Sequence, residues 1–317
     1  MKKVLGTVIV GTVLSMSAMA LDLPANHIVD AAWLKANLGD KSLVVVDVRK
    51  KGYSEGHVKG AVAWKGSDFR ESRYYSKITK KGIPGYIGAP LTVERTLKKS
   101  GVNKDSVIVF YAGGTKSKDF RDAALAMYTV EYYGFEKAAM LNGGFAGWKK
   151  AGGAVATKKT KVAKGDYKIT KFNQGVIATG EDVDEAVWTG SYQTVDTNGK
   201  NKLHWYGKDG KKKDPRRAKE GHLPGAKAMH IKVLAAKKDG VYYVGDKAQV
   251  LAEYKKAGID ATKPVIWYCN TGHLAAGGWF VQKYIIGMKD GDNRVYAGSM
   301  ADYTRWPKRK LVKGDKK

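Results

Sequence analysis

The sequence contains one cysteine, Cys269, in 317 residues, so it cannot form an internal disulfide. Acidic side chains are also scarce. The 30 Asp and Glu residues face 57 Lys and Arg residues, which gives a formal net charge of +27. This imbalance favours an anionic substrate, partner or surface. No stretch beyond the N-terminal region is apolar enough to span a bilayer, which takes about 20 residues.

The N-terminus has the pattern of an export signal. Lys2 and Lys3 precede an apolar run over residues 4–14, and Ala18-Met19-Ala20 follows as a cleavage site. We therefore predict a signal peptide over residues 1–20 and a periplasmic or secreted mature chain; an uncleaved anchor helix is the alternative. Exported proteins usually pair their cysteines. A single cysteine in that setting is either an inert core thiol or a reactive group.

The surroundings of Cys269 favour a reactive group. Four residues with strand character, 265–268, lead into the cysteine, and a helix is predicted over 274–286. A tight loop between a strand and a helix can direct several backbone N–H groups at one point, so the thiol is expected to be largely ionised. We predict Cys269 as the catalytic residue. The loop residues predicted to contact the substrate are Asn270, Thr271, Gly272, His273, Leu274 and Ala275.

Strand and helix patterns alternate along the chain. Dense apolar runs at 43–48 and 106–111 predict buried strands, and 119–132 predicts a helix. This alternation indicates an α/β fold with parallel sheets flanked by helices. We also predict a helix over 21–38 and a long polar loop over 66–90.

The second half of the chain repeats the first. GHLPGA at 221–226 corresponds to GHVKGA at 56–61. From the end of the next helix onward the two halves align without gaps at an offset of 157 residues, which aligns Cys269 with Ala112. Two tandem domains of one fold follow, with an active second domain and a first domain that has no thiol. The predicted segments are residues 1–20 (signal peptide), 21–155 (first domain), 156–170 (lysine-rich linker), 171–306 (second domain) and 307–317 (basic tail).

These motifs, with NGGFAGW at 142–148, resemble the tandem form of the rhodanese family of sulfurtransferases. The resemblance implies that Cys269 takes a sulfane sulfur from thiosulfate or a similar donor, holds it as a persulfide and passes it to a nucleophile. It implies no cofactor and no metal. The expected partners are a small anionic donor and either a small thiophilic acceptor or an acidic protein, with no nucleic acid and no stable membrane insertion.

The chain departs from the family pattern in three places. The cysteine loop CNTGHLA has no Arg or Lys, and the second domain has Thr197-Asn198 where the first has Val48-Arg49. A basic insertion after Asn198 offers Arg216 and Arg217, which we predict to contact the substrate because arginine binds dianions in a bidentate manner. His273 is the only ionisable companion of the cysteine in its loop.

Two other functions stay open. Cys269 could carry persulfide or polysulfide sulfur to an acidic partner without turnover. Alternatively, the charge alone could bind the protein to an anionic surface, in part through the basic tail. The Asp and His residues shared by the two halves, among them Asp47, Asp196, His57 and His222, are predicted to be scaffold, because the half without a thiol keeps them too.

Overall fold

A computed structural model describes residues 21–76, 81–199 and 216–313 of the protein. The predicted signal peptide, residues Lys211–Lys213 of the basic insertion and the end of the basic tail lie outside these residues. Within the described part, no helix is long and apolar enough to cross a membrane.

The first domain is built on a parallel five-stranded sheet. Its strands are β1 (Ile28–Val29), β2 (Leu43–Asp47), β4 (Val62–Ala63), β7 (Val107–Tyr111) and β8 (Ala138–Leu141), in the order β1-β8-β7-β2-β4. The helices of the domain are α1 (Ala31–Asn37), α2 (Pro90–Lys99), α3 (Phe120–Tyr132) and α4 (Gly144–Lys150). A short antiparallel pair joins β3 (His57–Val58) to β9 (Val155–Ala156).

The second domain repeats this plan. Its strands are β10 (Ile177–Ala178), β11 (Gln193–Asp196), β12 (Lys227–Ala228), β15 (Val265–Tyr268) and β16 (Asn293–Tyr296), in the order β10-β16-β15-β11-β12. The helices are α5 (Gly180–Thr189), α6 (Lys247–Ala257), α7 (Ala275–Val281) and α8 (Ser299–Tyr303), and a π-helical turn, Gln282–Ile286, continues α7. The predicted fold class is therefore confirmed: two α/β domains, each with a parallel sheet and flanking helices.

Local sequence explains these elements well. All five residues of β7 and all four of β15 are buried, as expected for central strands covered on both faces. Helix α6 begins after Asp246, whose side chain accepts a hydrogen bond from the Gln249 N–H, and ends at Gly258 in the left-handed conformation.

Two predictions were wrong. Residues 21–38 are not one helix, because only Ala31–Asn37 is helical, and Ile28–Val29 instead pairs with β8 at the sheet edge. Residues 66–90 are not a loop. They contain an antiparallel hairpin of β5 (Arg70–Ser76) and β6 (Lys81–Ile87). Its sequence alternates poorly, and register shifts interrupt the pairing, so periodicity did not reveal it.

The two domains pack through α3 and α7, and one cluster of buried apolar side chains runs through both. At the edge of this contact the Glu131 carboxylate accepts hydrogen bonds from the Tyr284 hydroxyl, at 2.6 Å, and from Lys283. Residues 157–173, which include most of the predicted linker, form no helix or strand. They nevertheless bond to the first domain, since the Tyr167 N–H donates to the Val102 carbonyl at 3.1 Å. The domain boundaries themselves stay predictions.

Candidate functional site

Cys269 follows the last residue of β15, the central strand of the second sheet. Ligands of open parallel α/β sheets bind at this carboxyl edge. The residue is 2% exposed. The cysteine of this chain thus lies at the edge where such sheets bind ligands, below the surface rather than on it.

The loop after the cysteine directs one amide at the sulfur. The Thr271 N–H donates to Sγ of Cys269 with an N···S distance of 3.4 Å. The Gly272 N–H, which we expected to face the substrate, donates instead to the hydroxyl of Ser299 at 2.8 Å. A charged sulfur at this position would therefore be stabilised first by the Thr271 amide.

Ser299 organises the loop from the start of α8. Its hydroxyl accepts from the Cys269 N–H at 3.2 Å and donates to the Tyr296 carbonyl at 2.8 Å. The residue has φ of +49°, a region that non-glycine residues rarely adopt. Sequence reasoning missed it. The available signal was its counterpart in the repeat, Gly144, which has φ of +56°.

The predicted arginines play different parts. The Arg217 Nε donates to Oδ1 of Asn270 at 2.9 Å, and its Nη1 donates to the Gly221 carbonyl at 2.9 Å. In the first domain, Arg49 donates in the same way to the carbonyl of Gly56, the counterpart of Gly221. Arg217 therefore replaces the arginine that is missing after Asp196. The Asn270 side chain is engaged by Arg217.

Arg216 is exposed, and its carbonyl accepts from Arg305 at 3.0 Å. The remaining loop residues serve packing: Leu274 lies against the apolar core, and Ala275 is buried at the start of α7.

His273 joins the cysteine loop to the first domain. Its Nε2 lies 2.6 Å from Oδ1 of Asp122, on α3. Burial lowers the pKa of His273, although the Asp122 carboxylate acts to raise it. Burial alone would raise the pKa of Asp122, but the hydrogen bond from His273 and its charge lower it. The two side chains therefore form a partly buried hydrogen-bonded pair that joins the two domains.

The β5–β6 hairpin of the first domain covers the cysteine loop. A guanidinium nitrogen of Arg70 donates to the Thr271 carbonyl. Gly85 has φ of +108°, and a Cβ built on it would lie 2.4 Å from the same carbonyl oxygen. This contact brings the two backbones so close that only glycine fits.

Arg70 is the second residue that sequence reasoning missed. Its Nε is buried and has no hydrogen-bond partner in the described part of the chain. Burial lowers the pKa of Arg70, while Cys269 and Asp122 act to raise it. No local pattern indicated this contact, because Arg70 lies 201 positions from Thr271 in a segment predicted as a loop.

A cavity of about 560 Å³ lies at the same junction. Arg70 and His273 border it, and its apolar wall includes Trp64, Phe69 and Leu125. Cys269 does not line this cavity, but Arg70, which does, also donates to the Thr271 carbonyl of the cysteine loop, and His273 belongs to that loop. Among the described residues, no group of three or more His, Cys, Asp or Glu side chains is placed to hold a metal ion.

Comparison with known proteins fits this arrangement. Residues 30–151 and 179–305 each match the family model described as rhodanese-like domain. The chain belongs to the rhodanese-like family. The predicted resemblance and the repeat are confirmed.

Individual relatives of this rhodanese-like protein differ in name. A Mycolicibacterium smegmatis protein named "Putative thiosulfate sulfurtransferase" is 25% identical over 293 residues, covering 87% of this chain and 94% of the relative. The Thermus thermophilus "Sulfur carrier protein TtuD" is also 25% identical, covering 88% of this chain and 93% of that protein. Among solved structures, the Escherichia coli 3-mercaptopyruvate enzyme SseA shares the fold, with a TM-score of 0.68 at 21% identity over 86% of this chain and 98% of SseA.

Proposed function

We propose that this protein is a sulfurtransferase that moves a sulfane sulfur from thiosulfate or a similar donor to a nucleophile through a persulfide on Cys269. The observation that carries the proposal is the position of the only cysteine at the carboxyl edge of β15, with the Thr271 N–H directed at its sulfur. Relatives named for sulfur transfer support the same chemistry.

The reaction has two balanced steps. The Cys269 thiolate attacks the outer sulfur of thiosulfate, a new S–S bond forms, and sulfite leaves with the electron pair of the old S–S bond. An acceptor such as cyanide then attacks the outer sulfur of the persulfide, and the thiolate is restored as thiocyanate leaves. Dividing the transfer in this way replaces one difficult step with two easier ones.

The first domain has a supporting part in this proposal. Ala112 stands where the second domain has Cys269, so the first domain cannot form a persulfide there. It contributes Asp122 and the β5–β6 hairpin to the wall of the cysteine site. We propose that it is a catalytically silent partner that completes the active half.

Steady-state transfer of sulfur from thiosulfate to cyanide tests the proposal. The wild type should turn over, and Cys269→Ser should not. Ala112→Cys, made in Cys269→Ser, is the matched control, because it places a thiol in the corresponding loop of the first domain, which Arg70 does not contact. It should not restore activity to Cys269→Ser. Equal rates in the wild type and Cys269→Ser would refute the proposal.

A carrier function without turnover is the alternative. The similarity to the Thermus thermophilus sulfur carrier favours it, as does the burial of Cys269. Mass spectrometry after exposure to polysulfide would then show one sulfur atom added at Cys269. Cyanide would remove this sulfur no faster than it removes sulfur from a small-molecule persulfide in solution. Rapid catalytic turnover with thiosulfate would exclude this alternative.

We further propose that the protein is exported and that its positive charge attracts anionic donors or an acidic acceptor protein. N-terminal sequencing of the protein from its native host should find Leu21 as the first residue. An intact Met1 would contradict export through a cleaved signal.

A further inference from the structure

We propose that Arg70, on the first domain's hairpin, binds the anionic end of the sulfur donor at Cys269 of the second domain. The cysteine loop itself has no Arg or Lys, so a cation must come from elsewhere. The inference rests on the proposed function, because it assigns the residue that selects the donor in that reaction.

Arg70 lines the cavity, and its guanidinium group is only partly hydrogen-bonded within the described part of the chain. One nitrogen is bonded to the Thr271 carbonyl, two residues from the cysteine. The Nε is buried without a partner in the described part of the chain. A buried N–H that lacks a partner is costly. An oxyanion bound beside it would remove that cost and gain a charge-assisted hydrogen bond.

The internal repeat supplies a control within the molecule. The second domain has its own hairpin, β13 (Ala235–Lys238) and β14 (Val241–Val244), which covers the silent loop of the first domain. The Tyr242 N–H donates to the carbonyl of Gly114 at 2.9 Å. Gly114 is the counterpart of Thr271 by the offset that sets Ala112 opposite Cys269. Each domain therefore covers the loop of the other.

The register of the two hairpins identifies the counterpart of Arg70. Arg70 pairs with Ile87, and Ala235 pairs with Val244. Ile87 and Val244 correspond by the same offset, so Ala235 stands where the first hairpin has Arg70. Covering a loop does not require an arginine at this position. The arginine occurs in the hairpin that covers the cysteine, and alanine occurs in the hairpin that covers Ala112.

The cavity beside Arg70 fits a donor with an oxyanion group. At about 560 Å³ it has room for a small organic anion as well as for thiosulfate. The sulfonate of thiosulfate and the carboxylate of a mercapto acid offer the same chemistry to a guanidinium. When thiosulfate reacts, the leaving sulfite takes the electron pair of the S–S bond, and Arg70 would neutralise its growing charge.

Alkylation of Cys269 tests the charge without requiring sulfur transfer. Iodoacetate and iodoacetamide attack the same thiol, but only iodoacetate is an anion. We therefore divide the rate constant for iodoacetate by the rate constant for iodoacetamide. This ratio should fall by about 10-fold or more in Arg70→Gln, which is the size of effect expected when a charge-assisted hydrogen bond is lost. Arg70→Lys should recover part of it. Arg73→Gln on the same hairpin, whose side chain is 40% exposed, should keep the wild-type ratio.

The same variants are then compared in turnover. Arg70→Gln should raise KM for thiosulfate and for 3-mercaptopyruvate by about 10-fold or more, and an increase for only one of them would identify the donor that Arg70 serves. An unchanged alkylation ratio in Arg70→Gln would overturn the inference. An equal decrease of the alkylation ratio in Arg70→Gln and Arg70→Lys, with a lower Tm in both variants, would also overturn it. That result would show that Arg70 stabilises the hairpin rather than binding the donor. If the alkylation ratio falls in Arg70→Gln but the wild type shows no turnover, the proposed function is refuted and the inference about Arg70 stands.

Discussion

The hydroxyl of Ser299 accepts a hydrogen bond from the backbone N–H of Cys269, at 3.2 Å. The same oxygen accepts from the Gly272 N–H, so one side chain fixes both sides of the cysteine loop. The loop therefore does not depend on its own residues alone for its shape. It is held from α8, thirty positions further along the chain.

Replacing Ser299 should loosen this loop. Ser299→Ala leaves two buried N–H groups without their acceptor and keeps the positive φ, so we expect a loss of about 2–4 kcal/mol in the free energy of unfolding. Turnover with thiosulfate should fall by about 10-fold or more, because the Thr271 amide is no longer held toward the sulfur. Urea unfolding and steady-state kinetics measure the two effects. Wild-type kinetics in Ser299→Ala would show that the cysteine loop keeps its conformation without the Ser299 hydroxyl.

Gly85 tests how the hairpin covers the site. Gly85→Ala introduces both an unfavourable φ and a clash with the Thr271 carbonyl, so the hairpin should move away and iodoacetamide should reach Cys269 faster. Gly60→Ala is the matched control, since Gly60 has φ of +85° with nothing within 4 Å of a built Cβ. It should cost only the backbone strain, about 1–2 kcal/mol, and leave the alkylation rate unchanged. Equal rates in both variants would argue against a covering role.

Arg216 and Arg217 should separate in mutagenesis. Arg217→Gln removes the hydrogen bonds to Asn270 and to the Gly221 carbonyl, and we expect a loss of about 1–3 kcal/mol in the free energy of unfolding. Arg216→Gln changes an exposed side chain and should stay within about 0.5 kcal/mol of the wild type. Measuring KM for thiosulfate in both variants tests the predicted substrate contacts. A raised KM with unchanged stability in Arg216→Gln would support a direct contact by that residue.

His273 should make the protein sensitive to acid. Burial holds the pKa of His273 below its usual 6.5, so the unfolded chain takes up this proton first as the pH falls. The free energy of unfolding should therefore decrease below about pH 6.5, by at most about 1.4 kcal/mol per pH unit for one proton. The lowered pKa of Asp122 gives a separate loss at pH values below 3.8.

His273→Gln is the variant that isolates this effect. Glutamine can still donate to Asp122 but does not titrate, so the difference in unfolding free energy between wild type and variant should shrink from about pH 7.5 to pH 5.5. Asp122, Arg70 and Arg121 face the imidazole and remain unchanged in both proteins. Parallel pH profiles for the two proteins would show that His273 does not titrate in this range.

The parts of the fold that were predictable are those that local sequence encodes. Strands β7 and β15 appear as dense apolar runs because they are buried on both faces, and α6 carries its own start and stop signals in Asp246 and Gly258. The β5–β6 hairpin was not predictable in this way. Within the described part of the chain its strands pair with each other alone, and contact with the other domain positions it.

The sequence by itself determined the repeat, the α/β class and the single thiol that distinguishes one half from the other, since these depend on residue identity and on spacing along the chain. Only the tertiary structure decided which groups surround that thiol. Arg70 and Asp122 meet the cysteine loop across 201 and 151 positions, and Arg217 replaces a missing neighbour of Asp196 from within an insertion. The reason is physical: apolar periodicity and helix-capping signals are local, whereas Arg70 and Asp122 reach the cysteine loop only when the two domains pack together.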